Sequence, residues 1–224
     1  MYVKLYFADV SCLKDEKLYS KLYEKMTQAR RDAADRLRFE KDRRLSVGAY
    51  SLLRYALIRA GEKGAFPIET EERGKPYFPD RPDICFNLSH SGDVALCALS
   101  DTDVGCDVEA QRRPPLSVAK RYFSSSEKDY LASARTDEER AERFFRVWTL
   151  KESVMKATGL GFSLAPSSFS AVDSDGGLLS PEVRGETFFV CDAHLCSGYR
   201  AAYCTGGARC DASVEEVFFD KIDF

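Results

Sequence analysis

Asp107 and Glu109 stand two apart in the run Val104-Gly105-Cys106-Asp107-Val108-Glu109, and Glu152 and Lys156 stand four apart in Trp148-Thr149-Leu150-Lys151-Glu152-Ser153-Val154-Met155-Lys156. In an extended strand, residues two apart share a face, so the two acids point one way while Cys106 and Val108 point the other. In a helix, residues four apart stand one above the other, which puts Glu152 and Lys156 on a common face. Each pair alone has a plain reading: a solvated acidic edge strand, or a surface ion pair worth about 0.2–0.5 kcal/mol. Together they have a sharper one. Adjacent carboxylates repel and are best tolerated around a cation. Three of them form an all-oxygen set that suits a hard ion, magnesium above all, which takes its remaining ligands from water and substrate phosphates. Arg73, Lys75, His90 and Lys156 supply cations for such phosphates, and Gly74 lets the backbone come close to an anion between two of them. The substrate class is a polyphosphate or diphosphate ester. No Gly-x-x-x-x-Gly-Lys-Ser/Thr loop and no Gly-x-Gly-x-x-Gly after a strand is present, which argues against P-loop and dinucleotide-binding sites.

The elements that must position these groups follow from periodicity. Aromatic and aliphatic residues including Phe144, Trp148 and Met155 recur at helical spacing and predict a helix from Asp137 to Ala157, stopped at Gly159 and facing a core. A second long helix is expected from Arg36 to Ala60, ended by Gly61, with a basic first half of Arg36, Arg38, Lys41, Arg43 and Arg44. A surface helix is expected over 14–31, and a short one over Ser117–Phe123. Ser124 with Glu127 forms a capping box for the helix that follows. Strands are expected at 2–8, from Ile84 into the polar turn at Ser89-His90-Ser91-Gly92, at Val94–Leu99, Val104–Glu109, Phe169–Val172, 187–192, 199–204 and 214–219.

A chain of 224 residues, 44% hydrophobic and 31% charged, fits a soluble globular protein with a sizeable core. A net charge of -3 is near neutral and argues neither for bulk nucleic-acid binding nor for a membrane surface. The charge is uneven. Residues 1–65 carry fifteen Lys and Arg against nine Asp and Glu, which turns that end toward an anion. The opening Met1–Phe7 reads as a strand rather than a leader, and no apolar run approaches the roughly 18 residues of a membrane span. Eight cysteines without a Cys-x-x-Cys pair, and only two histidines, argue against zinc and for packing thiols in a reducing cytoplasm.

Taken in order, Gly74-Lys75-Pro76, Phe86-Asn87-Leu88-Ser89-His90-Ser91, Val104 to Glu109, and Phe145-x-x-Trp148-x-x-Lys151-Glu152-Ser153-x-x-Lys156 resemble the 4'-phosphopantetheinyl transferases of the surfactin-synthetase-activating (Sfp) type. Arg38-Phe39 to Ser46 and Gly161-Phe162-Ser163-Leu164 fit the same pattern, so the likeness covers about 36–170. It implies an α/β (α+β) monomer of two similar subdomains, residues 1–102 and 103–224, related by a pseudo-twofold axis. Each would be a small, mainly antiparallel sheet packed with helices. It also implies transfer of phosphopantetheine from coenzyme A to a serine of an apo acyl or peptidyl carrier protein, releasing adenosine 3',5'-bisphosphate. Asp107, Glu109 and Glu152 would hold magnesium, with Glu152 as base and Lys156 assisting the leaving phosphate. Ser89, His90, Lys151 and Lys156, with Arg73, Gly74, Lys75, Lys41, Arg44 and Ser46, would contact the coenzyme. Cys106 stands where the family commonly has a branched aliphatic, and packing is expected of it. Two rival readings are a metal-dependent phosphoesterase acting on a nucleotide diphosphate with the same carboxylates, and a non-catalytic module that binds carriers or nucleotides.

Overall fold

The protein is described by a computed structural model covering residues 1–62, 64 and 66–222. In chain order its elements are β1 (Val3–Asp9), α1 (Glu16–Glu24), α2 (Gln28–Asp35), α3 (Glu40–Arg59), β2 (Glu69–Thr70), β3 (Pro76–Tyr77), β4 (Cys85–Ser91), β5 (Val94–Ser100) and β6 (Val104–Ala110). There follow α4 (Leu116–Tyr122), α5 (Ser125–Ala132), α6 (Asp137–Ala157), β7 (Glu182–Val183), β8 (Glu186–Ala193), β9 (Tyr199–Gly206) and β10 (Ala212–Glu216). One four-stranded sheet has the order β10-β1-β5-β4, a second has the order β6-β9-β8-β7, and β2 pairs with β3 in a small two-stranded sheet. The triplets β1-β5-β4 and β6-β9-β8 share one plan. In each, a first strand pairs antiparallel with the second strand of a later hairpin, and a long helix precedes that hairpin. This repeated plan agrees with the two similar, mainly antiparallel units that the resemblance implies.

Alternation along the strands decides the layers. Tyr6 and Ala8 of β1 and Ala95, Cys97 and Leu99 of β5 pack with Leu45, Leu52, Leu53 and Ala56 of α3. The alternate residues Leu5, Phe7, Leu96 and Ala98 meet Cys106, Val108, Ala201 and Tyr203 of the second sheet. Beyond that sheet, Ala202 and Cys204 pack with Val147, Leu150 and Val154 of α6. The molecule is therefore layered as α3, sheet, sheet, α6. Cys106 is fully buried between the sheets, as its packing role requires. Among the described residues no helix is long and apolar enough to cross a membrane.

Four expectations are corrected. The helix expected over 14–31 is two, α1 and α2, and the break between them tucks Met26 into the first core. The helix expected from Arg36 starts at Glu40. Phe169–Val172 is no strand beyond an isolated bridge of Val172 with Leu178, because its backbone groups go elsewhere. The Phe169 carbonyl accepts from Lys151, and the Ala171 amide donates to Glu127. The last correction concerns the 103–224 unit. Strand β10 pairs parallel with β1, and Val217, Phe219 and Ile222 lie in the core beneath α3, so the chain returns to its first half after β9.

Candidate active site

Helix α6 runs to its expected ends, with Thr136 capping the first turn by accepting from the Glu139 amide. It crosses β6 at Gly105, where a Cβ would run into the Ser153 carbonyl and the Ala157 nitrogen. That backbone contact presses the turn carrying Glu152 and Lys156 onto the strand carrying Asp107 and Glu109. The four side chains, with Ser89, His90 and Trp148, line one open cleft of about 390 Å³.

Strand β6 is the edge of its sheet, and its outward amides need partners. Strand β4 supplies them from side chains. Asn87 Oδ1 accepts from the Cys106 amide at 2.9 Å, Ser89 Oγ from Val108 at 3.3 Å, and Ser91 Oγ from Ala110 at 3.1 Å. The two hydroxyls donate in turn to the acids, Ser89 to Asp107 Oδ1 at 2.8 Å and Ser91 to Glu109 Oε2 at 2.8 Å. Lys156 Nζ donates to Asp107 Oδ1 at 2.7 Å, to Ser89 Oγ at 3.0 Å and to the Cys106 carbonyl at 3.2 Å.

The electrostatics follow from this crowding. Burial, with repulsion from Asp107 and Glu109, pushes the Glu152 carboxyl up to about 7 despite the Lys156 ammonium. The Glu152 side chain has no hydrogen bond or ion pair among the described residues. Burial raises Glu109 as well, against its hydrogen bond from Ser91. Burial opposes the Lys156 charge more than any one neighbour favours it, but attraction from Asp107, Cys106 and Glu152, together with the hydrogen bond to Asp107, holds the ammonium above its ordinary value. Desolvation and the nearby Lys156 charge keep the His90 imidazole below its usual value.

Asp107 Oδ2 is buried without a hydrogen-bond partner. An orphaned carboxylate oxygen beside two carboxyls with raised pKa values is a donor set short of positive charge, which is the chemistry a magnesium ion would satisfy. The three acids are not drawn together as a closed cage, however: among the described residues no three Asp, Glu, His or Cys side chains already enclose a metal position.

The expected coenzyme contacts divide. Ser89, His90 and Lys156 line the cleft. Lys41, 3.8 Å from Asp93, stands at the turn of the hairpin that carries His90. Lys75 Nζ bonds to Asp103 at 2.5 Å and to the Ala157 carbonyl at 2.6 Å, closing the C-terminal end of α6. Gly74, at φ 91°, forms the turn before it, and Arg73 is exposed. Arg44 pairs with Glu40 at 3.6 Å beside a separate cavity with Tyr19, and half-buried Ser46 is outside the cleft. Lys151 is the clear departure. It is wholly buried, donates to Glu127 Oε1 and the Phe169 carbonyl at 2.7 Å each, and faces no cleft. Burial lowers its pKa, with Glu127 opposing.

Ser91, Asn87, Trp148 and Phe162 enter the site without having been singled out as site residues. The polar side chain at every second position of β4 was the available signal. Trp148, expected in the core, is half-buried at the cleft wall, and Phe162 stands at its rim, 62% exposed.

Comparison with known proteins places this site in a family context. A family model described as the 4'-phosphopantetheinyl transferase superfamily matches residues 103–204. The chain is 32% identical over 163 residues to the 4'-phosphopantetheinyl transferase Sfp of Bacillus subtilis strain 168, spanning 72% of each protein. It is 39% identical to psf-1 of Bacillus pumilus, over 66% of this chain and 64% of that one. It is also 39% identical to HetI of Nostoc sp. PCC 7120, over 58% of each, both bearing the same transferase name.

Proposed function

This chain belongs to the 4'-phosphopantetheinyl transferase superfamily, and from that membership and the chemistry of the cleft we propose that it moves phosphopantetheine from coenzyme A to a serine of an apo acyl or peptidyl carrier protein. The observation that carries the site assignment is the convergence of Asp107, Glu109, Glu152 and Lys156 on one open cleft walled by Ser89 and His90.

In the reaction the serine oxygen bonds to the phosphorus that bears the pantetheine arm. The bond from that phosphorus to the bridging oxygen breaks, and adenosine 3',5'-bisphosphate leaves. Glu152 takes the serine proton. Its carboxylate oxygens face the cleft with no side-chain hydrogen bond or ion pair among the described residues, which leaves one open to accept that proton. Lys156 keeps its proton and offsets the charge that grows on the departing phosphate. Asp107 fixes that ammonium over the cleft, and Ser89 fixes Asp107. Ser89 and His90 meet the coenzyme phosphates, with Lys41, Arg73 and Gly74 toward its adenosine end. A magnesium ion held by Asp107, Glu109 and Glu152 would supply charge stabilisation at the diphosphate. Lys151 has no part in binding the coenzyme.

The active unit is a monomer whose cleft lies between a first half of about 1–102 and a second of about 103–206. The eight unpaired thiols suit a reducing cytoplasm. The test is a mass-shift assay with coenzyme A, magnesium and a panel of apo carrier proteins. Addition of the phosphopantetheine mass to a carrier serine supports the reading. Coenzyme A hydrolysis without a carrier would replace it with a phosphoesterase.

A further inference from the structure

The hydroxyl of Ser91 is held at both ends. It accepts from the Ala110 amide at 3.1 Å, so its single proton is left to point at Glu109 Oε2, 2.8 Å away. The rung below repeats the device. Ser89 accepts from Val108 and donates to Asp107. In each rung a serine on β4 reads one amide of β6 and fixes the acid that precedes that amide in sequence. The lower acid has a second anchor in Lys156 at 2.7 Å. Among the described residues Glu109 has no comparable one: Arg112 is 3.7 Å away and 61% exposed, a geometry worth little. With no hydroxyl at 91, Glu109 would be free to turn toward Arg112 and the solvent.

We propose that Ser91 is a positioning residue that keeps Glu109 turned into the cleft beside Asp107, bonding its Oε2 and leaving Oε1 for a divalent cation, so that the β4 hydroxyl sets the affinity of the site for metal. This rests on the reading that Asp107, Glu109 and Glu152 are the metal ligands. Partners that orient a metal ligand through hydrogen bonds typically contribute about 10–100-fold to affinity, and Ser91 is assigned an effect of that size.

The experiment titrates Mn2+ into the folded protein and follows free Mn2+ by electron paramagnetic resonance. Wild type, Ser91→Ala, Ser91→Thr, Glu109→Gln and the Ser91→Ala/Glu109→Gln double variant are compared. Ser91→Ala should weaken Mn2+ by at least about 10-fold, and Ser91→Thr, which keeps the hydroxyl, should restore it. In the Glu109→Gln background the same serine change should have no further effect, because its route to the metal is gone. Ser91→Cys, close in volume and a weak donor, replaces the alanine variant if that one does not fold. Unchanged Mn2+ affinity in Ser91→Ala overturns the proposal, and so do serine and glutamate effects that multiply. A wild-type protein that holds no Mn2+ overturns the underlying metal assignment instead.

Discussion

Glu152 and Lys156 share one helical face, and their surroundings push them to opposite tasks. Lys156 is surrounded by acceptors and keeps its proton, whereas burial first, and then the charges of Asp107 and Glu109, push the metal-free Glu152 carboxyl up to about 7. Glu152→Gln should therefore lower transfer by about 10²–10⁴-fold while coenzyme A still binds, as read by isothermal titration. A stability effect of the opposite sign comes with it. In metal-free protein the folded state binds a proton at Glu152 between the ordinary carboxylate pKa and about 7, where the unfolded chain has already lost it. Stability is thus lost as pH rises through that window. Glutamine has no such slope. In EDTA the Gln variant should be the more stable protein at pH 8, by on the order of 1–3 kcal/mol, with the gap closing by pH 4–5. Urea midpoints at the two pH values check this, and equal midpoints at pH 8 would remove the strained carboxylate from the account.

At the scale of elements, what matters is how closely α6 lies on β6 and what holds it there. Backbone atoms of Ser153 and Ala157 occupy the space above Gly105 and cannot swing aside as a side chain would. Gly105→Ala should cost about 1–3 kcal/mol by overpacking. It should also reduce kcat by about 10²-fold, the effect of displacing a catalytic turn by an ångström, and a crystal structure of the variant would show α6 lifted. On its far side α6 is tied by Lys151 to Glu127, whose other contacts are the Ser124 amide of the capping box and the Ala171 amide. Lys151→Met leaves a buried carboxylate with its two amide donors but no counter-ion and should cost about 3–5 kcal/mol in chemical denaturation. Lys151→Met/Glu127→Leu should recover part of that loss. Coenzyme A affinity should not change in the double variant; a large loss would return Lys151 to the binding site. These two contacts mark how far the sequence could be read. The α6 helix, its stop at Gly159, the capping box at Ser124 and the shared face of Asp107 and Glu109 are local patterns, legible from spacing alone. Lys151 reads locally like Lys156, five residues on. Only the fold shows that one meets Glu127 inside the second core and the other meets Asp107 in the cleft. The expected strand at Phe169–Val172 fails for the same reason, since its hydrogen bonds are taken by those distant side chains.

For the whole molecule, the duplicated plan explains both the cleft and the return of the chain. Each half has a helix on the outer face of its sheet, and the inner faces pack together through Leu5, Leu96, Cys106 and Tyr203. The cleft opens where β4, at the edge of one sheet, meets β6, at the edge of the other, and polar side chains there replace a strand ladder. The opposite edge of the first sheet has a different solution. Strand β1 would be exposed there, with Leu5 and Phe7 on its inner face, but β10 pairs with it in parallel from Val3–Ala212 to Phe7–Glu216. The segment after β10 then inserts Val217, Phe219 and Ile222 beneath α3. Tyr55 of α3 donates to Glu215 at 2.5 Å, and Lys21 of α1 donates to the Ile222 carbonyl at 3.0 Å. Truncation after Ala208 would leave the second sheet and α6 intact, yet strip β1 of its neighbour and open the first core. Burying three large apolar side chains is worth about 1.5–3 kcal/mol each, a large part of the stability of a domain this size. The truncated protein should lose cooperative unfolding in the first half and associate through the uncovered β1 edge, seen as loss of amide protection in β1 and α3 by hydrogen exchange. Amides of β8 and β9 should stay protected. If β1 and α3 exchange as slowly as in the full chain, the returning segment is an ornament and not the closing strand of the first half.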